Sequence, residues 1–558
     1  MVLELARSSR SCYTFIVMTR IAPGALLVGL LSAALVAHFF KPYPDGWDAA
    51  EYCWCVRSDY LPHSPYLGYF GLGKLFAIFL DPPIALSSLS FVGGIASIGL
   101  LHAAQLALLR SDRPAARTGD AAVVATVSAL LLGSSYLFIR QSGTQEVYAI
   151  QTALLLLALV LLASRSGPRL IASGLVYGFA LAVHQSSVFV LPALAFAVFS
   201  SQPDRRSRNL LLWLGAAAAV AGAACLVLYA LLPVDPAESR ILGLLRYLRG
   251  ISPSPPVRLW LEPRFWADSA SGLLDRVTCV DVPVSQLAIA TCPVGASWFN
   301  VVLAGVGLLV AWRHRLRSGL FWGLYPAPYL AYELGLGRNL DAGLYLPLLL
   351  PSLSGLGALT LGRALALSTG SGSLSRPLVG RSLGSLVLLL LLLPSAGLVL
   401  RHWEAPDRDA SVHHSVWMLA ACWMSRHLPR DAVVLQPAVE RNVNLLPYYS
   451  GLRHALRRGA LFMLFEPRGP YTPMNLEAYG LLTTARLGEL IRSGRAVYAL
   501  ESDPLARCPE EILDGKLFAW EVERTLAPDE IRAGPGAHQR VTARLPGYPV
   551  PLYRGKIR

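Results

Sequence analysis

Charged residues are scarce in this chain, and apolar residues dominate it. Asp, Glu, Lys and Arg make up only 15% of its 558 residues, while 54% are hydrophobic. The mean hydropathy is +0.47. A soluble protein of this length cannot spread so much apolar side chain over its surface. The composition therefore excludes a soluble globular protein and predicts a polytopic membrane protein.

Several familiar binding motifs are missing as well. No segment resembles a nucleic-acid-binding module, so the net charge of +14 is assigned to Lys and Arg in cytoplasmic loops and no nucleic-acid partner is expected. No nucleotide-binding motif occurs. Cys53-Trp54-Cys55 has neither zinc-site spacing nor a CxxC redox motif, which favours plain packing. No metal site and no cofactor are predicted, because no residue pattern supports a divalent ion.

Long apolar runs are abundant. The run over 170–200 exceeds the roughly 20 residues of one crossing, and His184-Gln185 interrupts it. We predict two short helices that meet there, and about 11 transmembrane helices in all. The predicted apolar spans lie near 21–40, 84–109, 121–139, 147–163, 170–200, 209–232, 296–311, 319–336, 342–362 and 383–400.

Arginine clusters follow or precede these spans, and they test the topology. All clusters fall on one side only if 170–200 crosses twice, which places the N-terminus in the cytoplasm and the region from about 401 outside. A cleaved signal peptide is the alternative for the N-terminal stretch, but the long apolar run favours a retained helix. The clusters are Arg7, Arg10 and Arg20; Arg110, Arg113 and Arg117; Arg165 and Arg169; Arg205, Arg206 and Arg208; Arg313, Arg315 and Arg317; and Arg363, Arg376 and Arg381.

Two domains are predicted. Residues 1–400 form the transmembrane domain with an external loop at 41–66, and residues 401–558 form an extracytoplasmic α/β domain. In the second domain charge, Pro and Gly return, and two segments at 432–435 and 496–500 are typical of short buried strands. The apolar segment after the loop is predicted to be an interfacial amphipathic helix with Lys74 among the lipid head groups.

Polar residues collect on the predicted external side. Asp48 and Glu51 are three residues apart and share a face on a helix, although carboxylates of a solvated loop are the alternative. Glu146 is favoured near a helix N-terminus by the dipole alone. His184 at a break in an apolar run is costly to bury without a partner. Arg338 can hold a phosphate or simply reach outward to the interface.

Three motifs in this region carry a family resemblance. Trp47-Asp48-Ala49-Ala50-Glu51 resembles Trp-Asp-Ser-Gly-Glu, the segment from His63 to Phe70 resembles His-Pro-Pro-Gly-Tyr-Pro-Leu-Tyr, and Glu146-Val147-Tyr148-Ala149 resembles Glu-Val-Tyr-Ala. These motifs are typical of bacterial membrane proteins related to transmembrane protein O-mannosyltransferases, within the GT-C superfamily. The resemblance spans roughly 40–200, and the His63 motif departs from the family by lacking Pro-Gly.

The resemblance implies a GT-C-like fold and an activity in the cell membrane. Relatives transfer a sugar, mannose among them, from a polyprenyl-phosphate carrier to a hydroxyl of a protein or glycan acceptor, here with inversion at the external face. A transporter or flippase for lipid-linked sugars is the alternative, but it predicts polar residues at mid-membrane and a repeat symmetry that the sequence lacks. A non-catalytic scaffold that displays the C-terminal domain is a third hypothesis.

Such a transfer needs a base for the acceptor proton and groups that hold the departing phosphate. Asp48 is the predicted base, with Asp45 as the alternative, and Glu51 supports it or binds the acceptor. His63 is predicted to order the loop. The remaining candidates for substrate binding are Arg140, Glu146, His184 and Arg338.

Overall fold

The chain divides into two units, each described by itself: residues 1–40, 87–224 and 254–400 form one, and residues 41–86, 225–253 and 401–558 form the other. The predicted domain boundary at residue 400 stays a prediction. The computed structural model describes residues 30, 33–34, 36–37, 40, 47–57, 66–112, 118–163, 166–201, 205–231, 239–242, 262–278, 294–336, 349–369, 428–429, 432–436, 453–458, 461–465, 497–500, 518–526 and 550–557.

The described part of the chain up to residue 369 is helical. By length and apolar composition, two of its helices qualify as membrane spans, Pro82–Asp112 and Arg206–Ala230, and the other apolar helices are shorter. The helices are α1 Trp47–Arg57, α2 Leu67–Ala77, α3 Pro82–Asp112, α4 Thr118–Gly133, α5 Tyr136–Gly143, α6 Tyr148–Ala163, α7 Gly167–Val183, a 3-10 helix Gln185–Val190, α8 Leu191–Ser201, α9 Arg206–Leu231, α10 Pro263–Thr278, α11 Val294–Arg313, α12 Arg317–Leu324, α13 Ala327–Leu336 and α14 Leu350–Thr369.

The break predicted at His184-Gln185 is confirmed. Helix α7 ends at Val183, and His184 is extended with φ −156° and ψ 125°. The 3-10 helix follows at once and leads into α8. Whether both halves cross the membrane stays a prediction.

Two other predicted spans are wrong as single helices. The span near 121–139 is broken between α4 and α5, where Ser135 is extended with ψ 117°. The span near 319–336 is broken between α12 and α13, because Pro326 supplies no backbone N–H to continue the helix. In the span near 342–362, α14 begins only at Leu350, and residues 342–348 lie outside the described residues.

The core of the helical unit lies between its apolar helices and is rich in aromatic rings. Tyr177 of α7 stacks on Trp213 of α9 with ring centroids 5.0 Å apart. The Trp213 indole N–H donates to Ser173 Oγ at 3.1 Å. A Cβ at Gly178 would collide with the carbonyl of Ala217. Glycine at this position therefore lets the backbones of α7 and α9 approach closely.

At one end of this unit, Asp112 joins α3 to the first turn of α12. Its Oδ1 accepts from the backbone N–H of Arg317 at 2.8 Å, and its Oδ2 accepts from the N–H of Ser318 at 3.0 Å and from Ser318 Oγ at 2.5 Å. The carboxylate thereby satisfies N–H groups that a helix start leaves without partners. The arginines around residues 110 and 313–317 consequently lie at one end of the unit, as the topology requires.

The second unit begins with α1 and α2, which pack through aromatic rings. Tyr52 of α1 makes edge contacts with Tyr66, Tyr69 and Phe70, at centroid distances of 5.9, 5.8 and 5.5 Å. The helix predicted near residues 67–76 is confirmed as α2. Lys74 is exposed. The position of α2 at the membrane interface stays a prediction.

Six strands are described in the C-terminal region: β1 Val433–Gln436, β2 Arg453–Arg458, β3 Leu461–Phe465, β4 Val497–Leu500, β5 Phe518–Leu526 and β6 Val550–Ile557. They form one sheet in the order β3-β2-β1-β4-β6-β5. The inner strand β1 pairs in parallel with β2 and β4, and the other pairs are antiparallel. Strands β1 and β4 coincide with the two predicted strands. The helices predicted between them lie outside the described residues.

Candidate functional site

The two carboxylates predicted to act in catalysis lie on a helix. Asp48 and Glu51 are the second and fifth residues of α1, so the external loop predicted at 41–66 contains a helix of 11 residues. Asp45, His63 and Arg338 lie outside the described residues.

Two further candidates are half-buried: Arg140 in the last turn of α5, and Glu146 in the turn between α5 and α6. The turn is tied to the first turns of α3 by two hydrogen bonds. Gln145 Nε2 donates to Ser87 Oγ at 2.8 Å, and Ser90 Oγ donates to the backbone carbonyl of Glu146 at 2.7 Å. Glu146 precedes α6 by two residues, as predicted.

His184 fills the break between α7 and the 3-10 helix, and it is only 1% exposed. Its Nδ1 accepts from the backbone N–H of Ser186 at 3.1 Å and lies 2.6 Å from Ser186 Oγ. The imidazole also packs against Tyr148 of α6, with ring centroids 5.3 Å apart.

A residue that the sequence reasoning missed, Gln151 of α6, completes this arrangement. The Gln151 side chain is fully buried, and its Nε2 donates to Ser186 Oγ and to Ser187 Oγ, each at 2.9 Å. The Tyr177 hydroxyl donates to the backbone carbonyl of Ser187 at 3.2 Å. A single Gln within an apolar run was the available signal, because a buried amide in such a helix needs partners. We call Tyr148, Gln151, Tyr177, His184, Ser186 and Ser187 the break cluster.

Glu146 and His184 are connected through one residue, Tyr148. The turn that carries Glu146 runs directly into the part of α6 that contacts His184 through Tyr148. On another side of the break, Phe189 of the 3-10 helix packs on Tyr329 and Tyr332 of α13, at centroid distances of 5.5 and 4.8 Å. The predicted external turn with Arg338 follows α13 directly in the sequence.

A second element that the sequence did not predict lies between the predicted spans near 209–232 and 296–311. Helix α10 forms there and packs against α11 and α13. Phe265 of α10 is half-buried, whereas Arg264 and Asp268 are exposed. Because apolar and charged residues are mixed in this helix, it does not form an apolar run in the sequence. Its signals were Pro263 at the first helical position and an apolar pair followed by polar residues.

Metal ligands are not grouped in the part of the chain that the structure describes. Within those residues, no set of three or more His, Cys, Asp or Glu side chains is placed to hold an ion.

The fold of this chain resembles that of ArnT, which has been solved in two states. ArnT from Cupriavidus metallidurans bound to undecaprenyl phosphate superposes with a TM-score of 0.58 at 12% identity, over 95% of this chain and 97% of that chain. Its apo form gives 0.56 at 11% identity, over 98% of each. The apo oligosaccharyltransferase of Archaeoglobus fulgidus gives 0.49 at 13% identity, over 86% of this chain and 69% of that chain.

No protein-family profile matches the sequence, and no curated protein sequence matches it. At so low an identity, the similarity to ArnT shows the fold. The predicted GT-C-like architecture is therefore confirmed as a fold, and the glycosyltransferase role stays a prediction.

Proposed function

We propose that this chain is a membrane glycosyltransferase that moves a sugar from a polyprenyl-phosphate carrier to an acceptor hydroxyl. The observation that carries the proposal is the fold similarity over nearly the whole of both chains to ArnT, which was solved with undecaprenyl phosphate bound. The motifs at residues 47–51 and 146–149 add independent support, because they resemble those of membrane O-mannosyltransferase relatives. Mannose is the first sugar to test.

The proposed reaction is a single displacement with inversion. The acceptor oxygen attacks the anomeric carbon, the bond from that carbon to the phosphate oxygen breaks, and the polyprenyl phosphate leaves with the bonding electrons. Asp48 takes the acceptor proton, and Glu51 supports Asp48 or binds the acceptor. Phosphate is a good leaving group, so the reaction needs a base and positive charge more than a strong acid.

Arginines suit the phosphate side of the proposed site. A guanidinium stays charged and can form two parallel hydrogen bonds to phosphate oxygens. Arg140 and Arg338 are the proposed donors. His184 is buried at the helix break, and its proposed contribution is to the shape of the break.

The proposed setting is the cell membrane, with lipids around the helices and a cytoplasmic N-terminus. The region from 401 to 558 is proposed to be an extracytoplasmic α/β domain that orients a protein or glycan acceptor. Its six-stranded sheet supports this proposal.

The test uses the full-length protein in nanodiscs with radiolabelled polyprenyl-phosphate sugars, mannose first, and peptide or glycan acceptors. We expect label on the acceptor and release of the polyprenyl phosphate, with inverted stereochemistry at the anomeric carbon. Label that moves between leaflets of a liposome without reaching any acceptor would instead support a flippase.

A further inference from the structure

The break cluster contains a chain of hydrogen bonds whose direction is fixed by its first member. Ser187 Oγ donates its one proton to the backbone carbonyl of Ala180 at 2.9 Å, and a carbonyl can only accept. Ser187 Oγ is therefore an acceptor toward Gln151. The Gln151 atom that faces it at 2.9 Å must be the amide nitrogen, which settles the orientation of the amide group.

The direction carries over to the next serine. The same amide nitrogen of Gln151 lies 2.9 Å from Ser186 Oγ, and an NH₂ group can only donate. Ser186 Oγ therefore accepts from Gln151, and its hydroxyl donates to His184 Nδ1 at 2.6 Å. Two different donors of Ser186, its hydroxyl and its backbone N–H, then converge on that one ring nitrogen.

A nitrogen that accepts two hydrogen bonds carries no proton. In a neutral imidazole the proton then belongs to the other nitrogen, Nε2. Doubly accepting geometry at Nδ1 also disfavours the imidazolium, because Nδ1–H would face a backbone N–H. The burial of His184 works in the same direction.

We propose that Gln151 and Ser186 are positioning residues that hold His184 in the neutral tautomer with its proton on Nε2, and that fix the helix break against α6. The functional part rests on the proposed function: the break is kept rigid beside the turn of Arg140 and Glu146, at the end of the unit where the donor phosphate is proposed to bind. His184 therefore does not supply positive charge to the leaving phosphate, and the arginines do.

The first measurement reads the tautomer directly and requires no substrate. Full-length protein labelled with nitrogen-15 histidine is studied by NMR at neutral pH, and the His184 signals are assigned by their loss in His184→Asn. We expect an Nε2-protonated ring in the native protein. Gln151→Met keeps the length of the side chain but removes the donor, so the Ser186 hydroxyl is free to rotate away from Nδ1. The backbone N–H of Ser186 still donates to Nδ1, so we expect the proton to stay on Nε2 and the Nδ1 signal to move toward that of a nitrogen that accepts one hydrogen bond.

Ser173→Ala is the matched control. It removes two buried hydrogen bonds between helices, from Ser173 Oγ to the carbonyl of Ala158 at 2.8 Å and from the Trp213 indole to Ser173 Oγ at 3.1 Å, and it replaces no member of the break cluster. Its His184 spectrum should equal that of the native protein. If Gln151→Met does not fold, Ser186→Ala provides the same reading, because it removes the hydroxyl and keeps the N–H. A native His184 protonated on Nδ1, or an unchanged Nδ1 signal in these variants, would overturn the proposal.

The second measurement addresses positioning. Affinity for undecaprenyl phosphate is measured for Gln151→Met and Ser173→Ala, and we expect a loss of about tenfold in the first, the scale set by a buried hydrogen bond, and none in the second. A changed Nδ1 signal with native affinity would overturn the positioning role. An enzyme that transfers no sugar but shows the expected tautomer would refute the proposed function and leave the hydrogen-bond chain standing.

Discussion

The two ends of the helical unit are held together by different chemistry. At one end, the ionisable side chain of Asp112 accepts three hydrogen bonds from the start of α12. At the other end, the amide of Gln151 and two serine hydroxyls join the break at His184 to α6. Bonds to a charged acceptor are roughly twice as strong as neutral ones, whereas a neutral chain can be buried without isolating a charge.

This difference indicates different roles for the Asp112 contact and for the hydrogen bonds of the break cluster. The carboxylate of Asp112 is half-exposed and joins two elements that are 205 residues apart in sequence. The neutral chain is buried and ends on a titratable ring. We infer that the Asp112 end serves stability, and that the end with the break cluster serves the proposed chemistry.

The largest expected effect concerns the membrane topology, that is, which loops lie in the cytoplasm and which lie outside. Topology reporters fused at residues 205 and 405 should give opposite readouts, cytoplasmic and external respectively, because only this arrangement keeps every arginine cluster inside. Equal readouts would overturn the predicted topology and, with it, the predicted external position of Asp48.

Loss of the Asp112 contact should lower stability without lowering the rate of sugar transfer. Asp112→Ala leaves the first N–H groups of α12 without their acceptor, and we expect a loss of about 1–3 kcal/mol in the free energy of unfolding. Thermal unfolding in detergent measures it, with the exposed Asp268→Ala as control. Sugar transfer per folded molecule should be unchanged. A large loss of turnover at native stability would assign the Asp112 end to the chemistry instead.

A weaker effect is expected at the proposed phosphate site. Arg338→Lys keeps the charge but cannot reproduce two parallel hydrogen bonds, so affinity for a polyprenyl-phosphate analogue should fall about tenfold. His184→Ala should also weaken binding, through the geometry of the break. Native affinity in both variants would reduce Arg338 to a residue that reaches to the lipid interface and His184 to a packing residue.

Much of the fold follows from apolar periodicity, and the exceptions have physical causes. The His184 break was predictable because a His-Gln pair interrupts an apolar run. Pro326 also marks a break in the sequence, but hydropathy averaged over a long segment is hardly changed by a single proline. Helix α10 was missed because its residues are only partly apolar. The partner of Asp112 was not predictable, because it depends on tertiary packing between distant helices.

The candidate site was predictable only in part. Motif resemblance pointed to Asp48, Glu51 and Glu146, and helix interruption pointed to His184. Gln151 was missed because its importance lies in the direction of its hydrogen bonds, which a sequence does not contain. A residue that positions another side chain is recognised from its hydrogen-bond partners in the structure, whereas a residue of a sequence motif can be recognised from the sequence.

The central claim is that a base in the first external loop drives sugar transfer, and Asp48→Asn tests it most directly. The substitution keeps the shape of the side chain and removes its basicity. Turnover by folded protein should fall by about 10²–10⁴, with donor binding kept, and Glu51→Gln should be milder. Transfer at nearly the native rate by both Asp48→Asn and Asp45→Asn would contradict the catalytic role of this loop.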